Sequence, residues 1–466
     1  MSKKESIFFY LILFITLLSR LPFIFDGYGS EEDAWALPLV AERIATSGQY
    51  EVSRLPGHPF QEIVYTFLYQ SNSVVFNLIT VLISTLGIAY FMMACFQLKI
   101  KNWDLAGIAL AFTPIIYINS INDMDYMWAM AFILMAFYFV VNRMPILAAL
   151  FVSFAVGCRI TSGAFVLPFT LLLFNLVEKE IRNKEIIKFI LVTFLGSLLI
   201  FSPVILTYGI NFFTYYEHFP IPGFAKNFYK GTFGAFGILG LLIIILLIID
   251  VLLHFKNYWK SISENKIHKT VLSCSLISIF LSLIAFLKVP LKSAFVIPMV
   301  PFVWILFAIL IPRKKLLTYT IGIVLSPFIF GINLADPLRG SAPSSLSYMQ
   351  EINGFPVSFD ILEGPLLADQ SKKKFRTQFS KKVLEATNNL QQKTFILAGW
   401  WLADILVLQK GTENKFVTFK YYTNEQELNW YKENEYVIYF LPEQDQYNDL
   451  RFKSVFTNKY ATPFPL

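Results

Sequence analysis

The sequence predicts a polytopic α-helical membrane protein of about eleven spans, followed by a small extracytoplasmic α/β domain. Three observations predict it. Charged residues make up only 15% of the chain and hydrophobic residues 56%, whereas soluble domains carry roughly 25% charged residues. Apolar runs near the length of a bilayer crossing recur along residues 7–332. The loops between those runs alternate between rich and poor in Lys and Arg, as cytoplasmic and external loops do. The net charge of +7 therefore reads as loop charge at a membrane, and no nucleic-acid partner is expected.

A crossing needs about 20 mostly apolar residues. The runs are 7–25, 73–95, 105–119, 126–142, 144–159, 163–177, 189–208, 233–254, 270–287, 295–311 and 316–332. Several are short and depend on neighbouring helices or loop residues. The first run follows Lys3 and Lys4 but ends in Arg20, Pro22 and bulky Phe, with no small-residue cleavage site, so it reads as a span. With the N-terminus cytoplasmic, the inner loops receive Lys99 and Lys101, Arg143, then Lys179, Arg182, Lys184 and Lys188. Later inner loops receive Lys256, Lys260, Lys266 and Lys269, then Arg313, Lys314 and Lys315. Fewer basic residues fall outside. A multi-pass protein of the plasma (inner) membrane is expected.

This orientation places 26–62, the turn 119–126, the loop 209–231 and the turn 288–294 on the external side, together with the tail from 333. The expected division is a transmembrane catalytic region 1–332 with an external loop 26–72, a linker 333–376, and an α/β domain 377–466. The linker is rich in Pro, Gly and Ser up to about 365. Beyond it, helical spacing at 377–392 is followed by strands at 393–399, 415–422 and 435–441. Helices are expected at 400–408, 424–434 and 442–450. Alternating strands and helices imply a small parallel sheet. No Gly-rich phosphate turn follows any strand, so no nucleotide site is expected there. Cys95, Cys158 and Cys274 all fall in apolar runs without metal-ligand spacing and read as small buried residues.

The loop 26–62 carries Glu31, Glu32 and Asp33 ahead of an amphipathic stretch, 36–50, that reads as a surface helix ended by Gly48. Carboxylates are natural bases toward a hydroxyl. Acids ahead of a helix also suit the positive end of its dipole. Asp33, beside Trp35 and just above a span end, is the stronger functional candidate, and Glu32 is its rival. Arg54, His58 and Glu62 follow in a Pro/Gly-stiffened turn. Asp123 and Asp125 occupy a short turn between spans, where acids are costly and often functional. With Asp33 they form a conceivable oxygen site for a divalent cation, though no cofactor or metal is required. Arg159, Lys288 and Lys292 lie at external span ends, suited either to lipid headgroups or to a phosphate. Tyr215, Tyr216 and His218 in loop 209–231 can shape a substrate pocket.

The order of these motifs resembles the type C (GT-C) membrane glycosyltransferases, in the group of aminoarabinose transferases and protein O-mannosyltransferase-like enzymes. The residues that carry the resemblance are the acids after the first span, SGQY, RLPGHP, NDMDYMW, GCRITSGAFVLPF and KSAFVIPMVPFVWIL. It covers residues 1–330, and an external soluble tail fits as well. It implies a hexosyl or pentosyl donor on polyprenyl phosphate, inverting transfer, and a glycan, lipid or protein acceptor at the extracytoplasmic face. By position, Asp33 or Glu32 is then the catalytic base. Arg54, His58, Arg159, Lys288 and Lys292 face the donor phosphate, while Glu62, Asp123, Asp125, Tyr216 and His218 contact substrate. The acidic pair common in the family is here a run of three, which leaves the base open between neighbours. Two other readings use lipid-linked sugars: a polysaccharide polymerase or ligase, and a transporter or flippase. The second usually shows internal repeats, and none is found.

Overall fold

The computed structural model describes all residues except 211, 213–221, 263–264, 335–345, 353–354, 422 and 442–460. Helices dominate up to residue 325. α1 (Lys3–Arg20) opens on a capping box, in which Ser2 and Glu5 satisfy each other's backbone N–H. α2 (Glu32–Ser47) ends at Gly48, whose φ of +69° makes the left-handed cap. α3 (Pro59–Thr66) starts on a proline, and α4 (Ser73–Gln97) is capped by Asn72.

α5 (Trp103–Phe112) and α6 (Pro114–Ser120) are separated at Thr113, because Pro114 lacks the N–H needed to continue the ladder. α6 and α7 (Asp125–Val141) meet at 110° across a short break. α7 is buried from Asp125 through Phe137. It is the axial helix of the bundle, packed by α4 and by α8 (Pro145–Cys158), which in turn packs on α10 (Lys179–Tyr208). α9 (Val166–Leu176) follows a 3₁₀ turn after Arg159. The bundle is completed by α11 (Phe224–Gly231), α12 (Phe233–Leu253), α13 (Phe255–Ile262), α14 (Lys266–Lys288), α15 (Val300–Leu310) and α16 (Arg313–Leu325).

Among the described residues, six helices are long and apolar enough to cross a membrane, or seven if the bent α6–α7 pair counts as one span. Their outward faces carry exposed Leu199, Leu206, Leu252 and Leu287, a surface suited to lipid and not to water. This is a multi-pass membrane protein. The other expected spans fall on shorter helices. Run 105–119 is broken at Pro114, 144–159 and 163–177 fall on α8 and α9, and 316–332 falls on α16 and a turn. Apolar length alone hid these breaks, because a buried short helix and a span have the same composition.

The expected linker corrects in two ways. Residues 331–360 contribute three antiparallel strands, β1 (Gly331–Leu334), β2 (Ser347–Ile352) and β3 (Phe355–Asp360), in the order β1-β3-β2. The helix expected at 377–392 starts earlier: α17 runs Pro365–Asn388, with Pro365 at its first turn. The parallel sheet forms as expected, in the order β5-β4-β6-β7. Its strands are β4 (Thr394–Leu397), β5 (Val417–Lys420), β6 (Val437–Phe440) and β7 (Thr462–Pro463), with helices α18 (Leu402–Leu408) and α19 (Glu425–Glu433). β4 is buried on both faces. Phe395 and Leu397 pack with Leu428 and Tyr431 of α19. Ile396 and Ala398 pack with Phe379 and Val383 of α17 and with Ile405 of α18. The period of two along a strand sends alternate side chains to opposite layers. The helix expected at 442–450 lies outside the described residues.

Candidate active site

Four segments meet at one end of the bundle: the first turn of α2, the turn 53–58, the α6–α7 break, and the residues just before the 3₁₀ turn Ser293–Met299. The sequence-stiffened turn at Pro56 and Gly57 brings Arg54 over the start of α7. There Arg54 bridges two carboxylates. One arm pairs with Asp33 and the other reaches Asp125 at 2.6 Å. Asp125 also takes Arg159 at 2.7 Å and faces His58 at 3.6 Å. Asp33 also pairs with Lys292, which holds Glu31 as well. The Arg159 guanidinium lies over the rings of Tyr126 (4.5 Å) and Phe295 (4.6 Å).

The two acids differ in access. The Asp125 side chain is 1% exposed, whereas Asp33 and Arg54 keep 22% and 16%. Asp33 and Arg54 are thus partly open, while Asp125 lies beneath them. Their charges are tuned too. Burial tends to raise the Asp33 carboxyl, but Arg54 and Lys292 overcome it and hold the group well below the usual carboxylate range. Burial pushes the neighbouring Glu32 carboxyl well above that range, with Arg376 opposing and Asp33 and Asp404 reinforcing. Adjacent carboxyls driven apart in this way can hold different protonation states. Burial tends to lower Lys292, but Asp33 and Glu31 hold it charged.

His58 and Glu62 serve the shape of the turn. The His58 ring Nδ1 lies 2.5 Å from the Cys158 carbonyl, and burial lowers its pKa against Asp125. Glu62 accepts from Ser53 N (2.8 Å), Ser53 Oγ (2.7 Å), Tyr50 Oη (2.5 Å) and His58 N (3.2 Å). Four donors on one carboxylate latch residues 50–58 to α3. Asp123 turns away from the pair and accepts from Tyr65 Oη at 2.5 Å. Asp33, Asp123 and Asp125 thus do not converge, and among the described residues no group of three His, Cys, Asp or Glu side chains could hold a metal ion.

Lys288 is exposed at the end of α14, separate from Lys292. Tyr216 and His218 lie outside the described residues. The three acids correct in register: Glu31 is the N-cap, and Glu32 and Asp33 already belong to α2. Beyond its place at the helix start, Glu31 pairs with Lys292. Sequence reasoning missed Tyr126 and Phe295 under Arg159, although both stand inside singled-out motifs. It also missed the first turns of α17, 365–376, which the sequence assigns to a linker.

No family model and no curated protein sequence matches the chain. Solved structures do, among them two crystal structures of ArnT from Cupriavidus metallidurans. The apo state is 12% identical, with a TM-score of 0.54, and the match covers 97% of this chain and 95% of that chain. The structure bound to undecaprenyl phosphate is 13% identical, with a TM-score of 0.55, and the match covers 98% and 96%. Over nearly its whole length, this chain has the fold of that glycosyltransferase.

Proposed function

We propose that this chain is an inverting membrane glycosyltransferase that moves a sugar from a polyprenyl-phosphate donor to an acceptor hydroxyl at the extracytoplasmic face. The observation that carries this reading is Arg54 suspended between an accessible carboxylate, Asp33, and a buried one, Asp125, with Lys292 and Arg159 alongside. Without substrate, these cations are balanced by side-chain acids. A lipid phosphate competes for Arg54 and Lys292, which are partly open and pair with the accessible Asp33. As they turn toward it, Asp33 loses the partners that depress its proton affinity and becomes a usable base.

Asp33 then takes the proton of the acceptor hydroxyl. The acceptor oxygen attacks the anomeric carbon from the face opposite the phosphate, and the bond to the phosphate oxygen breaks. Polyprenyl phosphate leaves with that electron pair. Fixed cations at the developing anion are each worth about 3 kcal/mol, so the reaction is proposed to need no metal. Glu32, raised by burial, is the alternative base. The fold shared with ArnT, one of whose structures holds undecaprenyl phosphate, supports the donor class. The site end and the tail from 333 are proposed to face outward, with α5, α8, α9 and α16 completing about eleven crossings.

The test is transfer from a panel of polyprenyl-phosphate sugars by purified Asp33→Asn and Glu32→Gln proteins. Asp33→Asn is expected to abolish transfer while still binding undecaprenyl phosphate. Full activity in both variants would remove the catalytic assignment.

A further inference from the structure

α17 enters the joint between the two loops that hold the paired carboxylates. Asp369 accepts from Ser30 Oγ at 2.5 Å with one oxygen and from Asn122 Nδ2 at 2.9 Å with the other. Ser30 lies three residues before Asp33, and Asn122 three before Asp125. One turn on, Lys373 donates to the carbonyls of Phe23 (3.3 Å) and Ile121 (3.1 Å), again one from each loop. A further turn on, Thr377 donates to the Asp26 carbonyl at 2.8 Å. Spacing of four residues puts all three on one face of the helix.

The fit is close. A Cβ on Gly27, at φ +104°, would stand 2.5 Å from Thr377 Oγ1 and 2.7 Å from the Trp35 ring. Lys373 is fully buried, a costly place for an ammonium unless it is well bonded. The acids whose charge favours its ammonium against burial are Asp369, Asp26 and Asp123. An apolar side chain could fill the space, but only a multiple donor can tie two carbonyls of separate loops to one atom.

We propose that Asp369 and Lys373 are positioning residues, which fix the spacing of the Asp33 and Asp125 loops so that Arg54 can span both carboxylates. The C-terminal segment is then part of the catalytic apparatus. The inference rests on the glycosyl-transfer reading above. Small misplacements of a reacting group are expensive, about 100-fold for roughly 1 Å.

The experiment uses the full chain carrying Lys373→Met, Lys373→Arg or Asp369→Asn, with polyprenyl-phosphate sugars as donors and undecaprenyl phosphate as the binding probe. Lys373→Met and Asp369→Asn are expected to lower kcat by about 30- to 100-fold, with KM and the undecaprenyl phosphate Kd within about threefold. Hydrogen exchange is expected to rise in 22–35 and 119–126 together, and Lys373→Arg to recover most of the lost kcat. The inference is overturned if kcat stays within about threefold of wild type. It is equally overturned if kcat, KM and Tm decline together and Lys373→Arg does no better than Lys373→Met, the signature of a structural role alone. If Lys373→Met does not fold, Asp369→Asn decides by the same measures. No transfer by the wild-type chain from any polyprenyl-phosphate sugar would remove the underlying reading, whereas an active wild type beside a fully active Lys373→Met removes only this inference.

Discussion

Replacing Arg54 with methionine removes a cation that Asp33 and Asp125 share. Stability should change modestly. A buried charge left wholly alone costs about 3–5 kcal/mol, but here each acid keeps a partner. Asp33 retains Lys292, and Asp125 retains Arg159 at 2.7 Å and His58 at 3.6 Å. We expect about 1.5–3 kcal/mol, the range of one lost hydrogen bond to a charged group. The catalytic loss is larger, because a donor aimed at developing negative charge is worth about 3 kcal/mol, or roughly 100-fold in kcat. Arg54→Lys restores the charge but lacks the planar fork that gives each carboxylate its own arm. It should fall between wild type and Arg54→Met. The assay is transfer from polyprenyl-phosphate sugars, with Tm measured on the same preparations. A kcat/KM within about threefold of wild type in Arg54→Met would refute the reasoning, because the shared cation would then be doing nothing for the leaving group.

Two further outcomes are expected. Burial holds the His58 pKa in the folded protein below its unfolded value of about 6.5, against the pull of Asp125. The unfolded chain then binds the extra proton first, and stability declines as pH falls below about 6.5. Asp33, depressed by Arg54 and Lys292 against burial, adds a second decline only below about pH 4. His58→Gln should abolish the first step and keep the second; an unchanged Tm–pH profile in that variant would contradict the assignment. On sidedness, Glu413→Cys should react with a membrane-impermeant maleimide in intact spheroplasts, and Lys314→Cys only after permeabilisation. Cys95, Cys158 and Cys274 are all buried, so background should be low, and the reverse pattern would invert the proposed topology.

Much of the site was legible because its residues break a local rule. Asp33, Arg54, Asp125 and Arg159 are charged side chains beside apolar spans, where charge is costly. Gly48 announced the end of α2 through the left-handed conformation it adopts. The parallel sheet was visible in the alternation of strand and helix. For other residues the fold supplies partners that the sequence does not show. Glu62 looks like a site acid, yet four local donors consume it. Asp123 sits two residues from Asp125 but faces Tyr65, because the α6–α7 break turns the chain between them.

The sequence by itself determined the solvent. Apolar runs and sparse charge demand a bilayer, because only there is such a surface stable without water. It also determined which polar residues were anomalous enough to act. Only the tertiary structure decided how they pair. That Arg54 spans two carboxylates, that Asp33 is open and Asp125 closed, and that Lys373 lies beneath both loops are facts about contacts between residues as much as 350 positions apart. Such contacts leave no local periodicity in the chain. A lysine in the run Lys372–Lys374 looks solvated until the fold places two carbonyls against it.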